Sequence, residues 1–99
     1  MVKIVWTEIS TLDLREIFDY IAHDSIRYAT ITSNKIYKRV QILKGNPYIG
    51  RIVPEFSVPG IRELIEGNYR IIYRIISNKK IDILRVYHSA RLLKGDNLE

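Results

Sequence analysis

Ninety-nine residues, 46% hydrophobic and 27% charged, fit one small globular domain and exclude both disorder and a second independent core. The absence of cysteine removes disulfide scaffolds, thiolate metal sites and cysteine nucleophiles, and suits a reducing, cytoplasmic setting. The formal charge of +5 is uneven: residues 1–24 are acidic on balance, whereas residues 25–54 carry Arg27, Lys35, Lys38, Arg39, Lys44 and Arg51 without a single acid. A one-signed stretch attracts polyanions or an acidic protein, although a solvated helix face has the same composition.

Val2 to Trp6 is β-branched and aromatic and turns polar at Thr7, which predicts a short strand and no signal-peptide core. Ser10-Thr11-Leu12-Asp13 has the spacing of a helix start, with Ser10 as cap and Asp13 favoured by the helix dipole. Leu14, Ile17, Phe18 and Ile21 then form one helical stripe that ends near His23-Asp24-Ser25. A second helix follows, with Ala29, Ser33, Ile36, Val40 and Leu43 inward and Arg27, Lys35, Lys38 and Arg39 outside. Lys44-Gly45-Asn46-Pro47 stops it. So short a connection predicts an antiparallel helical hairpin. Apolar runs are pairs and triples, far below the roughly 20 residues that span a bilayer, and no membrane partner is expected.

Tyr48 to Gly60 reads as a loop, with Pro54, Pro59 and two glycines. Three strands follow: Ile61–Ile65, Tyr69–Ile76 after a Gly67-Asn68 turn, and Ile81–Tyr87 after a polar turn. The tail from Ser89 reads as a short helix. The order β-α-α-β-β-β predicts an α+β domain over residues 1–99, an antiparallel sheet with the helical hairpin on one face.

Strand periodicity places Tyr69, Ile71, Tyr73 and Ile75 under the helices and Arg70, Ile72, Arg74 and Ile76 on the opposite face. If Ile76 faces Ile81, Arg70 lies opposite Tyr87 and Ile72 opposite Arg85. Arg70, Arg74, Arg85 and Tyr87 then share a face, and Leu84 and Val86 join the apolar set. A slip of one residue would bring Val86 and His88 there instead. The first register is favoured because it gathers the arginines.

His23 and His88 stand apart from any ligand-spaced partners, so neither a metal nor another cofactor is expected. His23 and Trp6 read as a surface residue and a core residue, and Glu63 and Glu66 as partners of strand arginines. An arginine-rich sheet face, His88, several tyrosines and the loop carboxylate Glu55 suit phosphodiester chemistry. Arginine holds the phosphate, Glu or His moves a proton, and tyrosine stacks on a base. Ordinary surface charge or protein contacts account equally well for the same arginines.

Gly50-Arg51-Ile52-Val53-Pro54-Glu55-Phe56, Ile61-Arg62-Glu63-Leu64, Gly67-Asn68-Tyr69-Arg70-Ile71-Ile72-Tyr73-Arg74-Ile75 and Ile83-Leu84-Arg85-Val86-Tyr87-His88-Ser89-Ala90-Arg91 together resemble the RelE/ParE superfamily of type II toxin–antitoxin toxins. The likeness covers nearly the whole chain. It is strongest to the ParE-type, plasmid-stabilisation branch, whose last strand ends Val-x-His-x-x-Arg. The resemblance implies a growth-inhibiting toxin neutralised by a cognate antitoxin in a hetero-oligomer. ParE-like members poison DNA gyrase, with the basic second helix (Lys35, Lys38, Arg39) and Arg74 and Arg85 as target contacts. RelE/YoeB-like members cut mRNA on the ribosome without a metal. In that alternative Arg70 matches the phosphate-binding arginine, His88 the general acid or base and Glu55 its glutamate, with Tyr87 or Arg91 assisting. Ser89 replaces a tyrosine of that subset, and the paired lysines of RelE and a tyrosine of the carboxy-terminal helix have no counterpart. The resemblance also admits a non-toxic module that only binds antitoxin.

Overall fold

The computed structural model describes residues 1–88. Strand β1 (Lys3–Trp6) leads into helix α1 (Glu8–Ala22), and α2 (Ile26–Gln41) continues as a 3-10 turn over Ile42–Lys44. Then come β2 (Arg51–Ile52), β3 (Ile61–Glu66), β4 (Tyr69–Ser77) and β5 (Lys80–His88), in the sheet order β1-β5-β4-β3-β2. The α+β class and the helical hairpin are as the sequence predicts. Two details differ. A two-residue strand lies inside the expected loop, and β1 pairs with β5 in parallel, so the sheet is mixed. The hairpin carries the chain away from β1 and the β3-β4-β5 meander brings it back, which sets the last strand beside the first. The predicted tail helix lies outside the described residues.

The helices begin where a side chain can take an orphan amide. Thr7, rather than Ser10, caps α1: its hydroxyl accepts from the Ser10 amide at 3.1 Å. Ser10 is buried inside the first turn and donates back to the Thr7 carbonyl. Thr7 also donates its hydroxyl to the Ile83 carbonyl of β5, so the cap ties the helix to the sheet. Ser25 caps α2 through the Tyr28 amide.

Under the helices, Ile36, Val40 and Leu43 pack on Leu64, Ile71, Tyr73, Ile81, Ile83 and Val86. Trp6 packs against this core and stacks on Tyr37. A smaller cluster, Val53, Ile61, Ile72, Leu84 and Tyr87 with Phe56 beside it, occupies the other face under the segment that follows β2. Leu84 therefore sits opposite to its expected face. A bulge is the reason: Ile72 pairs with Arg85 and Tyr73 already with Ile83, leaving Leu84 as the extra residue that flips the alternation. The same bulge makes Ile75, not Ile76, the partner of Ile81.

Candidate functional site

The second sheet face carries the unusual chemistry. Arg70 pairs across the ladder with Tyr87, the favoured register, while His88 pairs with Tyr69. Arg70 is only 5% exposed, and three of its bonds go to carboxylates. Its Nη1 and Nη2 donate to the two oxygens of Glu55 at 2.7 and 2.9 Å, a forked pair, and its Nε donates to Glu63 at 2.6 Å. Glu63 is itself 1% exposed, and its second oxygen accepts from Arg51 of β2. The hydrogen bonds to Glu55, then those to Glu63, hold the Arg70 guanidinium well above the ordinary arginine range despite burial.

Three backbone features position this network. β3 and β4 are adjacent, and periodicity puts Glu63 and Arg70 on the same face. Val53 ends β2 by donating to Ile61, and the Phe56 and Ser57 amides both bond back to the Val53 carbonyl. That tight turn, with Ser57 at φ 54°, folds Glu55 over the sheet. Gly50 holds the approach to β2 against β4. Its amide donates to the Tyr73 hydroxyl at 3.0 Å, and that hydroxyl donates to the Pro47 carbonyl at 2.8 Å. A Cβ on Gly50 would lie 2.5 Å from the same hydroxyl and 2.6 Å from the Glu63 carbonyl. Glycine is required here by space rather than by φ. Burial pushes the Tyr73 hydroxyl above its ordinary value, partly offset by the bond from Gly50.

Arg70, Arg74, Arg85 and Tyr87 share this face as expected, but the arginine head groups are drawn to different partners. Arg85 is drawn to α1, where its Nε and Nη2 bond Asp13 at 2.7 and 3.0 Å. Asp13 also accepts the Val86 amide beyond the end of β1, so it serves the sheet edge rather than the helix dipole alone. The bond to Asp13 raises the Arg85 pKa. The Arg85 guanidinium lies 4.5 Å from the Tyr87 ring centre. Arg74 is exposed, opposite Ile61 and Asp82. Arg70, Glu55 and Tyr87 are thus brought together, whereas the His88 ring lies edge-on to Tyr69, 6.2 Å between centres. Lys35 and Lys38 are exposed on α2, and Arg39 reaches the Ile65 carbonyl. Arg91 lies outside the described residues. Glu63 pairs with strand arginines as expected. The role of Asp13 had no sequence signal, because its partners are more than 70 residues away.

Among the described residues no group of three potential metal ligands occurs, and no helix is long and apolar enough to cross a membrane. What the arrangement defines is a small mixed-sheet domain with a helical hairpin on one face and a carboxylate-clamped arginine on the other. Residues 4–93 match the family described as the ParE toxin of the type II toxin–antitoxin system, parDE. The chain belongs to that family. It is similar to a chain of the chromosomal ParDE system of P. aeruginosa, with 28% identity, a TM-score of 0.72, and coverage of 89% of this chain and 96% of that one. The fold recurs in the E. coli DinJ–YafQ complex (18% identity, TM-score 0.63, 95% and 100% covered). It recurs also in a YoeB/ParE toxin from Agrobacterium tumefaciens (19%, 0.59, 88% and 98%). The chain has no significant match among curated proteins.

Proposed function

We propose that the chain inhibits growth by acting on DNA gyrase and is held in check by a cognate antitoxin bound as a hetero-oligomer in the cytoplasm. The observation that carries the choice of target is the state of Arg70. A nuclease of the superfamily would need this guanidinium to meet a phosphodiester. Here both Nη atoms and the Nε face carboxylates, and the side chain is 6% exposed. To seat a phosphate on its Nη atoms, the site would have to break the forked, largely buried ion pair with Glu55. The family match and the ParDE likeness point the same way. A gyrase-directed toxin acts by binding, so its contacts can lie on the exposed basic side of α2, at Lys35 and Lys38, and at Arg74.

One observation keeps a second reading. Glu55, Arg70 and Tyr87 converge, and release of Glu55 would give an arginine, a carboxylate and a phenol beside one another, the parts of a metal-independent ribosomal endoribonuclease. Induced expression in a susceptible bacterium separates the two. Growth, transcript ends and the DNA-damage response are read together. The gyrase reading expects arrest with a damage response and intact transcripts. Cleavage mapped to translated codons without damage would overturn it, and no arrest at all would leave an antitoxin-binding module.

A further inference from the structure

The hairpin turns one side of each helix away from the sheet. On α1 the residues opposite Leu14 and Ile17 are Glu8, Leu12, Glu16, Asp19 and His23, a stripe with helical spacing, and all five are exposed. On α2 the stripe opposite Ile36 and Val40 is Arg27, Ile31, Asn34 and Lys38, again exposed throughout. Both buried sets pack on the same face of the sheet, so the two stripes lie side by side on the outer surface of the hairpin. One is acidic and the other basic. Among the described residues, none of Glu8, Glu16, Asp19, Arg27 and Lys38 enters an ion pair, even with its neighbours across the hairpin. Leu12 and Ile31 add apolar surface between them, 49% and 38% exposed.

A surface made of two unlike stripes is complementary to itself. A twofold axis parallel to the helices exchanges left and right and leaves height along them unchanged, so it lays α1 of one copy on α2 of the other. Height then fixes the partners. Asp19 and Arg27 both lie close to the turn between the helices, and Glu8 and Lys38 both lie toward the far end. Each acid of one copy therefore meets a base of the other, and each pair occurs twice. Leu12 and Ile31 fall between the two charged levels. The other twofold, across the helices, would set α1 on α1 and acid on acid. Helices of 15 and 16 residues side by side offer a face of roughly 23 Å by 20 Å, so pairing covers on the order of 900 Å² in total. That is the size of a weak, reversible interface, in which charge does most of the selecting.

We propose that two copies of the chain associate through the outer surface of the hairpin, α1 of each on α2 of the other, as a salt-sensitive isologous dimer. The pairing does not depend on what the toxin acts on. One consequence does: Lys38 is a target contact in the gyrase reading above, so on that reading the paired form covers the contact and the single chain presents it.

Sedimentation equilibrium of the purified full chain, run over a series of concentrations, measures the association directly. A monomer–dimer equilibrium is expected, shifting toward monomer with added salt. Asp19→Lys and Arg27→Glu each set like charges against one another at both copies of the contact, and each is expected to weaken the dimer roughly tenfold or more. Mixed in equal amounts, the two variants are expected to pair again. The introduced lysine of one then meets the introduced glutamate of the other, and the unaltered Arg27 and Asp19 meet at the second contact. Both positions are exposed, and circular dichroism checks that the helices persist. Glu8→Lys with Lys38→Glu is the same exchange at the far end of the hairpin and replaces the first pair if either variant unfolds. Three results overturn the proposal: wild type stays monomeric up to its solubility limit, the single variants dimerise like wild type, or their mixture stays monomeric. None of these measurements reads growth arrest or gyrase, so their failure leaves the toxin reading standing, and a chain that pairs here without arresting growth loses only that reading.

Discussion

The two faces of the sheet are built on different physics. Beneath the helices, Ile36, Val40, Leu43, Ile71, Tyr73 and Ile83 close an apolar core from regular periodicities, 3.6 in the helix and 2 in the strands. Beneath the segment after β2, a thin apolar cluster is completed by Arg70, Glu55, Glu63 and Arg51. The first face tolerates a missing methyl group at the cost of a cavity. On the second face, loss of Glu55 or Glu63 leaves the buried Arg70 charge only partly paired. A small domain thus spends its limited apolar surface on one side and fastens the other with ions.

The largest test of that contrast is Glu63→Ala. It leaves Arg70 buried with Glu55 on one side only, and the expected loss is about 3–5 kcal/mol of unfolding free energy by urea titration. Ile36→Ala on the opposite face should cost about 2–5 kcal/mol through transfer and cavity terms. Added salt should leave the Ile36 difference unchanged. A Glu63 variant as stable as wild type would show that the ionic face is ornamental.

Tyr73→Phe comes next, at about 1–3 kcal/mol, because it strands the Gly50 amide and the Pro47 carbonyl. Its pH dependence has a definite sign. Burial raises the folded pKa above the unfolded value of 10.0, so the folded state holds its proton more tightly. That contribution is complete below pH 10 and is lost as pH rises through the folded pKa. Wild type should therefore lose stability above pH 10 more steeply than the phenylalanine variant, and equal slopes would remove this role for the hydroxyl.

Asp13→Asn keeps one acceptor for Val86 but loses the charge beside Arg85. The expected cost is about 1–2 kcal/mol, with faster exchange of the Val86 amide. Smallest is Lys80→Ala. Its half-exposed pair with Asp82, at 3.5 Å, should be worth about 1 kcal/mol, and a larger loss would point to a contact the lysine stem makes.

Most of the helix-covered face was legible in the sequence because its determinants are local. Leu14 and Ile17, Ile36 and Val40, and Ile71 and Tyr73 announce themselves by spacing. Gly67-Asn68 marks the β3–β4 turn, where Gly67 adopts φ 58°. The Arg70–Tyr87 pairing was also legible, since only that register gathers the charged side chains. What failed was set by non-repeating geometry. The bulge at Leu84 moved one leucine across the sheet, and Asp13 reached Arg85 from a helix distant in sequence. Glu55 could be nominated from its proline-bounded loop, but its forked bond to Arg70 depends on a turn closed by backbone bonds to Val53. The Thr7 cap was available in the sequence, directly after Trp6, and was obscured by a similar spacing three residues later.

The parallel pairing of β1 with β5 has a consequence for the birth of the molecule. Thr7 waits for Ile83, 76 residues further on, before its amide and hydroxyl find their acceptors. Contacts so distant in sequence slow folding, and a chain emerging from the ribosome cannot close its sheet until the last strand has been synthesised. During translation the nascent protein is therefore an unfinished object, its helical hairpin exposed before the sheet that gives it shape exists. Any partner able to seize the hairpin meets it first in that state, ahead of the finished fold.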